Sequence, residues 1–541
     1  MINKITYSLL TLLFLSFCSC KESKIVKSEI KIPKSKIVNK KIDINNNDIL
    51  RNLLLLQKDS IFLFSIKNKD SVLKFYEQNK GRAAWTYVKD RNDLYNSILK
   101  SYTHGLNPKD YNVSKIKSIV YDAPSELTNS ALEDIFLTDN YLTLSYHLAN
   151  GKIKPESIYR DWKLNKNIFN FNETLIKYLK KHKVSESFLI FSPNDSIYLG
   201  LQKQLSLLKN KIKLDTLGKM VTYGKKIKPE NSDIRIPEIR RRLNELGFLN
   251  DSLVNNVKTH DSILQVSVKQ FQVSKKIEND AIIGNETIKA LNKNTKDHYL
   301  SILANLERLK WFPRNKGINN ITVNIANYNL KHATTKDTTI YNVIVGKTTR
   351  KTPVFSSKVV YLDFNPKWFI PPTIKKEDII PAASKDINYL KKKNISVYND
   401  GKKMILDSID WNTKEPLKYS YIQSSGNSNA LGRVKIIFPN DFSVYLHDTP
   451  GKSTFKKNYR AKSSGCVRVE NVFNLAGEIL NETPEKIDSI INRRITKRIY
   501  VKDTINVHFL YWTVEFDKKN KPLFINDVYD LDVKLAEKLA Y

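Results

Sequence analysis

Cysteine is scarce: the chain of 541 residues holds three, at Cys18, Cys20 and Cys466. This excludes a disulfide-stapled scaffold, which depends on many paired cysteines. With only eight histidines besides, the ligand clusters of a structural zinc protein are missing. No metal or nucleotide motif is present, and no cofactor is expected. Acidic residues are also in deficit, 55 against 90 Lys+Arg, for a formal net charge of +35. Lys and Asn recur throughout, so the excess reads as solvated surface; no nucleic-acid module accompanies it and no nucleic-acid partner is expected. Beyond the N-terminus, nothing approaches the run of about 20 apolar residues that a membrane-spanning helix needs. What is present excludes full-length disorder, because 27 Tyr, 23 Phe and 6 Trp require burial. At about 150 residues per domain the length implies three or four domains.

The N-terminus reads as an export address. Met1 to Lys4 is a short basic segment, and Ile5 to Phe17 is a mostly apolar run of signal-peptide length. The run ends Ser16-Phe17-Cys18-Ser19-Cys20 and turns charged at Lys21-Glu22. This resembles a bacterial lipobox, with Cys20, preceded by the small Ser19, as the lipidated residue. A plain secretory signal or a short anchor is the other reading. Either places the chain outside the cytoplasm, and the lipobox reading makes it a periplasmic lipoprotein of the bacterial cell envelope, tethered to a membrane. Residues 21–60 are then a charged, self-repelling tether.

The body divides by pattern into a multidomain α+β protein. Residues 61–230, poor in Gly and Pro, predict a helical scaffold without grouped catalytic side chains. In 231–294 three short helices are expected. Pro237 opens the first, which carries Ile239, Leu243 and Leu246 and stops at Gly247. Leu264, Val268 and Phe271 stripe the second, and Ile288 and Leu291 the third. From about 320 the period changes to two, in ITVNIANYNL, TIYNVIVGK, SKVVYLDF and FSVYLHD, as in β-strands. Residues 295–500 therefore form a β-rich domain, and 501–541 a hairpin turning around Lys518 to Lys521.

The chemistry gathers near Cys466. In a strand over 442–448, period two puts Tyr445 and His447 on one face and Val444 and Leu446 on the core face. Cys466 follows His447 by 19 residues, long enough for a loop to return to that face. Gly465 permits a sharp turn before it. Asn471 is a candidate cap for the helix VFNLAGEIL, whose N-terminus would favour a thiolate. A lone thiol is ordinarily an inert core residue, and a lone strand histidine ordinarily a satisfied one. Together, in an exported chain and with Arg468 two residues on, they point to an activated nucleophile.

YLHDTP followed by SSGCVRV resembles the active-site signature of the L,D-transpeptidases with a YkuD catalytic domain, cysteine acyltransferases that cross-link peptidoglycan. VIVGKTTRKTPVF (343–355), FNPKWFIPP (364–372), NALGRVKIIFPN (429–440), the hairpin and the domain order are similar to the large YcbB-like branch. Residues 231–294, with Phe271-Gln272 and IIGNETIKALN, resemble a peptidoglycan-binding type 1 domain, with Ala281 where that family usually has Gly. The resemblance implies Cys466 as nucleophile, His447 as base, and the Asp448 carbonyl as its orienting group. It implies an oxyanion hole of the backbone N–H groups around Gly465 and Cys466. Arg468 would hold the loop or face a substrate carboxylate, Tyr445 and Trp368 would line the donor groove, and Ser464 stands where smaller members often carry His. A lid over about 366–428 is implied, as are stem peptides and glycan as partners alongside other cell-wall synthesis enzymes, and acylation of Cys466 by carbapenems. An L,D-carboxypeptidase, a transferase attaching protein to the wall, or a non-catalytic wall tether are the alternatives.

Overall fold

A computed structural model describes residues 41–58, 66–122, 130–162, 164–212 and 220–539. Cys18, Cys20 and the first half of the expected tether lie outside them. The helical body starts before residue 61: Asn46–Gln57 is a helix whose Asn45 side chain caps Asn47 N–H, and it buries Ile49, Asn52 and Leu56. They lie at i, i+3 and i+7 on one face, and the exposed Leu50, Leu54 and Leu55 on the other faces blur the helical period in the sequence.

The centre of the helical domain is Ser130–Asn150, buried on almost all sides. Its carboxylates are spent on neighbouring segments. Asp134 accepts from the Ala84 and Trp85 N–H groups at 3.0 and 2.6 Å and from the Tyr76 hydroxyl at 2.5 Å. Asp139 accepts from the Lys67 and Asn68 N–H groups at 3.0 and 2.8 Å. Such bonds offset the cost of taking a carboxylate out of water.

The last part of this region belongs to another core. Ile158, Trp162 and, from helix Ser196–Ile212, Tyr198, Leu201 and Leu205 pack with helix Thr295–Trp311 and the β-rich domain. Trp162 lies 5.8 Å from Trp311 and 6.0 Å from Tyr511, ring to ring. The helical domain is thereby bolted to the β domain.

Helices Ile236–Glu245, Ser262–Ser274 and Asn285–Leu291 make the small unit, with Val221 and Ile227 joining its core. Gln272 explains its place beside Phe271. Buried, it accepts from Ala281 N–H at 3.0 Å and donates to Ile282 O at 3.0 Å, clamping the turn before the third helix. Ala281 sits at φ +61°, a left-handed conformation that glycine adopts without strain.

The β domain is built on one 11-stranded sheet, in the order Lys497–Tyr500, Tyr361–Phe364, Val434–Ile437, Leu446–His447, Val467–Val469, Thr338–Gly346, Asn329–Ala333, Asn320–Asn324, Asn506–Leu510 and Phe355–Lys358. Ala461–Ser463 pairs alongside Thr338–Gly346. The C-terminal stretch is more than a hairpin. Val514–Phe516 and Pro522–Phe524 form one, but Asn506–Leu510 runs parallel to Asn320–Asn324 inside the sheet. Its residues 507–510 are all buried, as a strand covered on both faces demands. Residues 366–428 carry a separate small sheet and their own buried cluster, including Ile370, Leu390, Val397, Trp411 and Tyr421.

Candidate active site

Two short strands bring the chemistry together. Leu446–His447 pairs in parallel with Val467–Val469, setting Leu446 opposite Val467 and His447 opposite Arg468. Val467 N–H donates to Tyr445 O at 3.1 Å, so Cys466 enters the sheet beside Tyr445. Val444 and Leu446 are buried in the main core, while Tyr445 and His447 share the other face, their rings 5.6 Å apart. Asn440 secures the approach, accepting from the N–H groups of Phe442 and Val444 at 3.1 and 3.0 Å and donating to Val444 O at 2.8 Å.

Cys466, His447, Tyr445, Trp368, Ser464, Gly465 and Arg468 all line one cavity of about 820 Å³. The turn at Gly465 needs that residue: φ is +113°, outside the usual range of residues bearing a Cβ. Thr352 Oγ1 donates to Gly465 O at 2.8 Å, and Ser463 Oγ to Cys466 O at 2.6 Å. Gly465 N–H is aimed at Ser463 Oγ, 3.3 Å away. Of the two donors expected for an oxyanion, the turn itself therefore uses Gly465. Among the described residues, Cys466 N–H makes no hydrogen bond.

The Cys466 side chain meets the Ser443 carbonyl at 3.7 Å. Burial pushes its thiol up; hydrogen bonding from Tyr445 and the charges of Lys435 and Arg468 pull the other way. His447 is pushed down to about 3, mainly by burial and then by Arg468. Its Nδ1 lies 2.5 Å from Asp448 O. At neutral pH the pair therefore rests as thiol and neutral imidazole. The Asp448 carboxylate has other work: it accepts from Arg433 N–H at 2.9 Å and from Lys452. Gly432 lies so close that a Cβ there would stand 2.2 Å from Asp448 Oδ2.

Arg468 keeps a buried Nε without a partner among the described residues, a donor free for an anionic group in the cavity. The Trp368 Nε1 is likewise buried, and it neighbours the Tyr445 hydroxyl. Asn471 occupies the N-cap position of helix Val472–Leu480, but at φ 52° its side chain makes no capping bond.

Sequence reasoning missed Lys435. It stands opposite His447 in the antiparallel pair with Val434–Ile437, its Nζ 4.0 Å from the Tyr445 ring centroid. A lysine alternating with the buried Val434 and Ile436 was the available signal. It missed Arg350 as well, which donates to Ser464 Oγ at 2.9 Å. Tyr159, Arg160 and Asp161 of the helical region also line the cavity.

The architecture defines a helical scaffold joined to a β domain with a cysteine–histidine cleft. Residues 319–487 match the model of the YkuD L,D-transpeptidase catalytic domain, and residues 70–205 that of the Scaffold domain. A Haemophilus influenzae protein, provisionally named as an L,D-transpeptidase, is 34% identical over 244 residues, 44% of this chain and 49% of its own. The match thus spans about half the length of that relative. The chain thus contains a YkuD L,D-transpeptidase catalytic domain and a Scaffold domain, a combination that supports a YcbB-like L,D-transpeptidase.

Proposed function

We propose that this protein is a peptidoglycan L,D-transpeptidase working through a cysteine thioester. The observation that carries the reading is the half-buried Cys466 thiol sharing one cavity with a neutral, carbonyl-oriented His447. His447 takes the thiol proton as Cys466 attacks the carbonyl between the third, diamino-acid residue and the terminal D-alanine of a donor tetrapeptide stem. The tetrahedral oxyanion is met by the Cys466 N–H. The C–N bond breaks, the proton passes from His447 to the departing D-alanine, and a thioester remains. The side-chain amine of a second stem then attacks, gives its proton to His447, and frees the thiol, leaving a 3→3 cross-link. Arg468 pairs with a stem carboxylate, and Lys435 and Tyr445 stabilise sulfur as it gains charge. Residues 231–294 hold glycan, and carbapenems acylate Cys466. The N-terminal segment exports the chain and anchors it by lipid at Cys20 to a membrane of the cell envelope, within reach of other cell-wall synthesis enzymes.

The test is incubation of wild type and Cys466→Ala with disaccharide-tetrapeptide, with products resolved by mass spectrometry. Dimers with 3→3 links in wild type alone are expected. Tripeptide without dimer would make the protein an L,D-carboxypeptidase, and products undiminished in Cys466→Ala would remove the nucleophile assignment.

A further inference from the structure

The segment 366–428 has its own sheet and buried cluster, apart from the main core. Among the described residues, the ion pairs that tie it to the rest of the chain come from one side chain, Arg350. Arg350 lies in the loop after strand Thr338–Gly346, in a turn closed by its own N–H donating to Lys347 O at 2.9 Å. Its Nε donates to Glu377 Oε2 at 3.0 Å, and its Nη1 to Asp378 Oδ2 at 2.5 Å. Both carboxylates stand on the π-helical turn Lys375–Ile379, and turns of this kind recur at functional sites. The same Nη1 donates to Ser464 Oγ at 2.9 Å, two residues before the thiol. The guanidinium side chain is only 11% exposed, although its partners are 52% and 42% exposed. A fork held by two carboxylates in this setting is the geometry in which an ion pair outweighs the small value of a surface pair. Two residues on, Thr352 Oγ1 holds Gly465 O at 2.8 Å.

We propose that Arg350 is a positioning residue that latches the lid across the cleft and, through the same guanidinium, holds Ser464 and the Gly465–Cys466 turn in register. Lid closure and placement of the nucleophile are then one event. The latch rests on the reading of Cys466 as the acylated residue, yet two of its readouts need no turnover.

The test uses the full chain with Arg350→Met, Arg350→Lys and the charge swap Arg350→Glu with Glu377→Arg, made together with Asp378→Asn so that no like charge faces the new glutamate. Amide hydrogen exchange over 372–393, alkylation of Cys466 by iodoacetamide, and kcat and KM on disaccharide-tetrapeptide are measured. In Arg350→Met, exchange of the lid rises and kcat/KM falls by about 100-fold, the size expected when a reacting group is displaced by about 1 Å. Arg350→Lys, which keeps charge but loses the fork, is intermediate and guards against a misfolded Met variant. The charge swap recovers lid protection together with much of kcat, because the exchanged pair still joins opposite charges and the carboxylate now on the loop can accept from the Ser464 hydroxyl. Unchanged lid exchange in Arg350→Met overturns the latch. So does a swap that restores lid protection while alkylation and kcat stay at the Met level, since the coupling would then be absent. A wild type with no activity on the tetrapeptide would defeat the proposed function, while exchange and alkylation still decide the latch.

Discussion

Replacing Gly465 by alanine separates the cost of a backbone from the cost of a displaced thiol. A Cβ at Gly465 has room, since its nearest neighbour outside the turn would be Lys351 O at 3.8 Å. The penalty is therefore conformational, about 1–3 kcal/mol for a residue forced to hold φ +113°. Two hydrogen bonds keep the turn as it is, Thr352 Oγ1 to Gly465 O and Ser463 Oγ to Cys466 O, together worth about 1–3 kcal/mol. Strain and restraint are nearly balanced, so the turn relaxes part of the way and carries Cys466 with it. Urea unfolding of Gly465→Ala should lose no more than about 3 kcal/mol. Single-turnover acylation, followed by mass, should slow by about 100-fold. Gly432→Ala is the contrast: its Cβ would meet Asp448 Oδ2 at 2.2 Å, so the loss there appears first in stability. A wild-type acylation rate in Gly465→Ala, or a Gly432→Ala protein more stable than Gly465→Ala, would refute the reasoning.

Other perturbations probe the electrostatics and the domain bolt. Removing the cation in Lys435→Met should raise the Cys466 thiol further and slow its alkylation at pH 7 severalfold, because less thiolate is present, with Lys435→Arg close to wild type; equal rates would exclude Lys435 from the site. His104, His147 and His447 are each held down to about 3, chiefly by burial, with Lys310 adding to the effect at the first two. Unfolded, they titrate near about 6.5, so between those values the unfolded chain binds more protons and stability falls as pH falls, by up to about 1.4 kcal/mol per pH unit for each. The urea midpoint should therefore drop from pH 7 to pH 5, and a constant or rising midpoint would contradict the buried neutral rings. Trp162→Ala should cost about 3–5 kcal/mol and lower the unfolding transition of the β domain although the residue belongs to the helical region; loss confined to a separate helical transition would argue against the bolt. Ala281→Gly relieves a left-handed residue worth about 1–2 kcal/mol but gives up a buried methyl and chain rigidity, so Tm should change by only a few degrees.

Local signals were legible in the sequence wherever neighbours along the chain decide the outcome. Pro237 and Gly247 bracket their helix, period two places Tyr445 and His447 on one face, and Gly465 marks the turn before Cys466. The helix at Asn46–Gln57 was masked because Leu50, Leu54 and Leu55, exposed outside its buried face, blur the helical period. The missed residues share another trait. Lys435 acts across a strand pair, Arg350 reaches 114 residues to Ser464 and 27 to Glu377, and Trp162 packs into a core built mostly from residues beyond 295.

By itself, then, the sequence determined the candidate cysteine–histidine pair, the helical and β-rich halves, and the small three-helix unit, because motif spacing and hydrophobic period are properties of short segments. Only the tertiary structure decided that burial holds the Cys466 thiol up and the His447 imidazole down, that the Gly465 N–H is spent within its own turn, and that one arginine bonds Glu377, Asp378 and Ser464 together. Desolvation and hydrogen-bond geometry depend on which distant segments converge, and that convergence is set by the packed core rather than by any stretch of chain.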